Sequence, residues 1–114
     1  IPLLPLPGEA NAAQATPELP GLLRILSAHP HTLSFSGHTH VMMNHELGAE
    51  HGYAPPGGTL HRHCNLTSTC GSWYRGPRDQ AGIPYSPGRD GAPKGYARVR
   101  FEGASKYRIQ FKAL

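Results

Sequence analysis

The chain reads as an α+β fold, mostly β, and three observations carry that reading. Only one stretch, residues 17–28, has the spacing of an amphipathic helix, with Leu19, Leu22, Leu23 and Leu26 at i, i+3, i+4 and i+7. Three stretches, 59–67, 96–101 and 107–111, alternate with the period of a half-buried strand. Fourteen glycines and twelve prolines in 114 residues are close to a quarter of the chain. That is roughly twice the ordinary share, so the connections must be long and loop-rich.

Taken in order, residues 1–15 are an irregular, proline-led segment. Thr16 is placed to N-cap the helix, with Pro17 at its first position and Glu18 near the positive end of the dipole. Pro20-Gly21 interrupts this start, and His29-Pro30 ends the helix. A strand over Thr32–Ser36 follows at once, the order of an α/β layer. A second strand is expected over His40–His45 after a bend. Residues 46–58 form a loop with Tyr53 and Pro55-Pro56-Gly57-Gly58. The strand expected over 59–67 puts His61 and His63 on one face, and 68–94 is loop with Trp73 and Tyr74. The clearest element is the last. Ala97, Val99 and Phe101 alternate with Tyr96, Arg98 and Arg100, and Tyr107, Ile109 and Phe111 alternate with Arg108, Gln110 and Lys112. Across the turn 102–105 these make a β-hairpin with one apolar face.

Eleven Lys and Arg against seven Asp and Glu give a net charge of +4 and a pI near 9.4. The cations concentrate toward the C-terminal half, as a solvated strand face or as a surface that draws in phosphate-bearing ligands. No block of like charges forms a nucleic-acid tail, and no apolar run is long enough to span a membrane. The opening Ile1-Pro2-Leu3-Leu4-Pro5-Leu6-Pro7 is too broken by proline for a signal peptide. No feature assigns a compartment. Cys64 and Cys70 lack CxxC spacing; they read equally as a disulfide, which would need a periplasmic or secreted setting, and as two buried thiols. Asn65-Leu66-Thr67 matches a glycosylation sequon, a pattern too short to carry weight.

The most informative motif is Gly37-His38-Thr39-His40, at the end of Leu33-Ser34-Phe35-Ser36. In an extended strand His38 and His40 aim both imidazoles to one side, with Thr39 turned away. Gly37, without a Cβ, allows close approach or a bend. Such a strand tip delivers two neutral nitrogen ligands to a metal. Two further pairs share the spacing. His29 and His31 flank a proline at a solvated turn, and His61 and His63 point together from the third strand.

Leu33 to His40 resembles the last signature block, Gly-His-x-His, of the calcineurin-like metallophosphoesterases. The stretches Leu60-His61-Arg62-His63-Cys64, Cys70-Gly71-Ser72-Trp73-Tyr74-Arg75-Gly76 and Arg89-Asp90-Gly91-Ala92-Pro93-Lys94-Gly95-Tyr96 are similar to the C-terminal region of one bacterial branch. That branch carries a small β-rich domain after the catalytic core, and Ile1-Pro2-Leu3 looks like the residues that follow an earlier His block. The resemblance implies that residues 1–58 are the last helix and strands of an α/β/β/α sandwich and 59–114 the β-rich C-terminal domain. It implies hydrolysis of a phosphate ester by a metal-bound hydroxide at two divalent ions (Mn, Fe or Zn), with His38 on one ion and His40 on the other.

The family's Asp-x-His and Gly-Asp blocks do not occur here. Asp79 and Asp90 lie in Gly/Pro-rich surroundings outside any such setting. The remaining ligands are therefore expected from a missing N-terminal part of the same protein, and the chain alone is expected to be inactive, since two histidines hold a divalent ion poorly without carboxylates. His61 and His63 are candidates for substrate contact or an outer-shell role, against an exposed strand face. Arg75, beside Trp73 and Tyr74, is a candidate phosphate-facing cation, against a hydrophobic anchor for the loop. His45 and His51 are read as surface residues, and Asp90-Gly91 as a turn. The alternative from another class is a non-catalytic β module holding zinc through histidines and Cys64 or Cys70. A basic nucleic-acid-binding β domain would need a stacking platform, which the sequence does not offer.

Overall fold

The computed structural model describes residues 16–67, 77–85, 88 and 90–113. These are mostly β with one α-helix, as expected: α1 Leu19–Leu26, β1 Leu33–Ser36, β2 Met43–Leu47, β3 His61–Asn65, β4 Gly95–Phe101 and β5 Tyr107–Ala113. They divide into two compact units, one of residues up to Ser36 with 44–64, the other of 37–43 with 65 onward.

In the first unit β3 is the middle strand of a three-stranded sheet, between β1 and β2. A central strand is covered along both edges, and four of the five β3 residues are buried. Leu19 and Leu23 of α1 pack with Leu47 and Tyr53, and Leu26 closes on the cluster. Leu22 and Ile25 are exposed, so the buried stripe is narrower than the leucine spacing suggests. The helix is shorter than 17–28. Glu18, not Thr16, occupies the N-cap and makes no side-chain capping bond, and Pro20 sits in the first turn. Tyr53, assigned only to a loop by the sequence, is a core residue, 1 % exposed. Its hydroxyl donates to the His29 carbonyl at 2.9 Å, so the loop 48–54 is tied to the end of α1. Ser27 adds a second tie, accepting the Ala54 N–H at 2.9 Å. β2 begins three residues later than expected, because residues 37–41 form a bend rather than an extension of β1.

In the second unit β4 and β5 pair antiparallel from Gly95↔Ala113 to Phe101↔Tyr107. Ala97 faces Phe111 and Val99 faces Ile109 on the half-buried side, as the alternation predicts. Phe101 departs from it: at the loop end it is exposed and meets its cross-strand partner Tyr107, ring centroids 6.4 Å apart. Gly95 is required where it stands, since a Cβ there would run into the Lys112 carbonyl and the Phe111 ring. Asp79 organises a tight turn, its carboxylate accepting the Ala81 and Ile83 N–H groups.

Candidate functional site

Two His-x-His pairs dominate the site region, and their local structures differ. β1 ends at Ser36. His38 and His40 therefore lie outside any strand, at φ 88° and 57°, in the left-handed region that non-glycine residues adopt at a cost. The alternation argument does not apply to them. His38 is exposed, His40 half-buried and Thr39 buried between them.

The bend is pinned from one side. Asn65, at the end of β3 and 2 % exposed, donates its amide N–H groups to Thr39 Oγ1 and to the Val41 carbonyl, both at 2.6 Å. Asp90 accepts the Met42 N–H at 2.7 Å and the Ala92 N–H at 3.0 Å. Gly88 packs so closely on the His40 carbonyl that a Cβ would stand 3.0 Å from it. Asp90-Gly91 is thus a turn, as expected, and also a backbone anchor. With Asn65's amide so engaged, the sequon is a structural clamp. Gly37 is not demanded by crowding: a Cβ there would rest at ordinary contact distance, 3.6 Å from the Leu66 carbonyl.

The second pair is interior. His61 and His63 are 0 % and 1 % exposed, which overturns the exposed-face alternative. Their rings face the hydroxyls of Thr32, Ser34 and Ser36, which share one side of β1 and its lead-in. Thr32 Oγ1 is 2.7 Å from His61 Nδ1, and Ser34 Oγ is 2.8 Å from both His61 Nε2 and His63 Nδ1. Ser36 Oγ is 3.0 Å from His63 Nε2. All four ring nitrogens are hydrogen-bonded. Ser34 has a single hydroxyl hydrogen, so it donates to one ring and accepts from the other. The two histidines must then carry their protons on the same nitrogen, both Nδ1 or both Nε2.

Burial lowers the pKa of both. That of His63 falls to about 4 through burial first and then the nearby His45 and His61. His45, expected at the surface, stacks on His63 with centroids 6.0 Å apart, and its own pKa is lowered by burial and by His51. Tyr53 meets His61 edge-on at 5.6 Å. The signal for this ladder is present in the sequence: Thr32-x-Ser34-x-Ser36 repeats with the same period as His61-x-His63, but pairing of the two strands had to be known first.

His51 pairs with Glu50 at 2.8 Å. Cys64 is a free, fully buried thiol whose pKa is raised by burial. Cys70, with which it could form a disulfide, and Trp73, Tyr74 and Arg75 lie outside the described residues, as does the Ile1-Pro2-Leu3 opening. Among the described residues no three His, Cys, Asp or Glu side chains come together in a way that could hold a metal ion. No described helix is long and apolar enough to cross a membrane.

A bend carrying two imidazoles, clamped by Asn65 and Asp90 and followed by a β-hairpin, is the arrangement to set beside known families. Residues 63–114 match the family model described as the C terminal of calcineurin-like phosphoesterase. The match agrees with the resemblance read from the sequence over the same stretch. No curated protein and no solved structure matches the chain.

Proposed function

We propose that this chain is the C-terminal portion of a metal-dependent phosphoesterase, with His38 and His40 as two imidazole ligands of a centre completed by residues of the same protein outside this chain. The observation that carries this reading is that Asn65, Gly88 and Asp90, all within the family-matched stretch, hold the backbone of the Gly37–Met43 segment. The described residues do not make a metal site alone. Carboxylate ligands must join the pair, and the parent fold we infer is the α/β/β/α sandwich of the family. Two divalent ions (Mn, Fe or Zn), when bound, supply the positive charge that holds a phosphate ester and acidifies water.

Within this chain the roles divide. Asn65 and Asp90 fix the bend that presents His38 and His40. His61 and His63, buried and neutral, keep Ser34 and Ser36 in place and so hold the end of β1 from which the bend departs. Arg75 is retained as the phosphate-facing cation. The zinc-module alternative is weaker, because the Cys64 thiol is held protonated by burial and the His61 and His63 nitrogens are engaged by hydroxyls.

Hydrolysis of an aryl phosphate in the presence of Mn²⁺ tests this. The isolated chain is expected to show no turnover. The chain joined to the upstream coding region is expected to turn over and to lose activity with His38→Ala or His40→Ala. Activity indifferent to both substitutions would refute the ligand assignment.

A further inference from the structure

The outward face of the β4–β5 hairpin is unusually cationic for so small a sheet. Residues 95–113 hold Arg98, Arg100, Lys106, Arg108 and Lys112 against a single acid, Glu102. On the outward side Tyr96 pairs with Lys112, Arg98 with Gln110 and Arg100 with Arg108. Four of the six positions in this grid are cations, all exposed. Neighbours stand about 5 Å apart across the strands and about 7 Å apart along them. Arg100 and Arg108 are directly opposed, a like-charge pairing that destabilises a sheet unless an anion lies over it. Glu102 reaches only Arg100, at 3.9 Å, from the loop. Arg98, Gln110, Phe111 and Lys112 line a shallow recess of about 400 Å³, roomy enough for a phosphate group. Phe101, 67 % exposed at the loop end, lies on the other side of the strand with Ala97 and Val99.

We propose that this face docks on a membrane surface rich in anionic phospholipids. The complementarity is of charge. A grid of guanidinium and ammonium groups matches an array of headgroup phosphates, with Arg forking onto phosphate oxygens. A nucleic acid fits less well, because the cationic side offers only Tyr96, at one corner, for a base to stack on.

The test is sedimentation of the full chain with vesicles of phosphatidylcholine alone and with one-third phosphatidylserine. Binding is expected only to the anionic vesicles and should weaken with salt. Arg100→Glu should weaken it more than ten-fold, at about five-fold per unit of charge. The same variant should unfold at about the same temperature, since the new carboxylate gains Arg108 and loses the contact with Glu102, and this separates lost docking from misfolding. Phe101→Ser, on the opposite side of the strand, should leave binding within two-fold. Arg24→Glu makes the same charge change on α1, in the other unit, and should leave binding within two-fold. Equal losses from Arg24→Glu and Arg100→Glu would overturn the proposal. So would indifference to phosphatidylserine, or displacement from the vesicles by a single-stranded oligonucleotide or by soluble glycerophosphoserine at equal phosphate concentration.

Discussion

His38-x-His40 and His61-x-His63 have the same spacing and opposite physical settings. The first pair sits in a bend with left-handed backbone, partly open to solvent and pinned through its neighbours Thr39, Val41 and Met42. The second lies in the middle strand of a sheet with every ring nitrogen hydrogen-bonded. The difference shows that a two-residue spacing specifies a shared face only where the backbone is extended. Where it is not, the loop's own hydrogen bonds decide. It also separates the jobs. Exposed or half-buried imidazoles on a clamped bend suit metal ligation, while buried neutral imidazoles suit holding strands together.

Substitutions should split the two pairs. The largest effect is expected at His63→Ala, which opens a cavity and strips partners from the Ser34 and Ser36 hydroxyls, costing about 3 kcal/mol by chemical denaturation. His38→Ala should fall within about 0.5 kcal/mol of the parent. Equal costs at the two sites would erase the distinction.

Acid should act on the same contrast. His45, His61 and His63 all have pKa values lowered in the fold, so the unfolded chain binds more protons below its ordinary His value. The stabilisation is complete above about pH 6.5 and is lost as pH falls toward 4, with roughly 2–3 kcal/mol of it due to His63. Denaturation midpoints at pH 7.5 and 4.5 read this, and His63→Gln should flatten the difference.

Smaller effects are expected in the bend. Asn65→Ala removes both 2.6 Å bonds and should cost about 2 kcal/mol, with faster amide exchange confined to residues 39–42. His38→Gly relieves a left-handed backbone but adds freedom to the unfolded chain, leaving a net gain of about 0.5 kcal/mol.

How much of this was legible beforehand follows from the range of the interactions. The hairpin was read nearly to the residue, because its alternation is local and its partner strand adjacent. β1 and β3 are visible as separate short segments, while their pairing, across nearly thirty residues, is not. What escaped depended on contacts across more than twenty residues. Leu33-Ser34-Phe35-Ser36 was read as an apolar run, yet Phe35 is 42 % exposed and the serines carry the function of the strand. Asn65 looked like a sequon and is the clamp on Thr39. Tyr53 looked like loop and is core.

The most direct measurement is side-chain ¹⁵N NMR of the eight histidines at pH 7.5, before and after an excess of Zn²⁺. The account predicts His61 and His63 neutral, with protons on the same ring nitrogen and unmoved by the metal, while His38 and His40 shift. Charged or zinc-responsive His61 and His63, or different tautomers in the two, would contradict it.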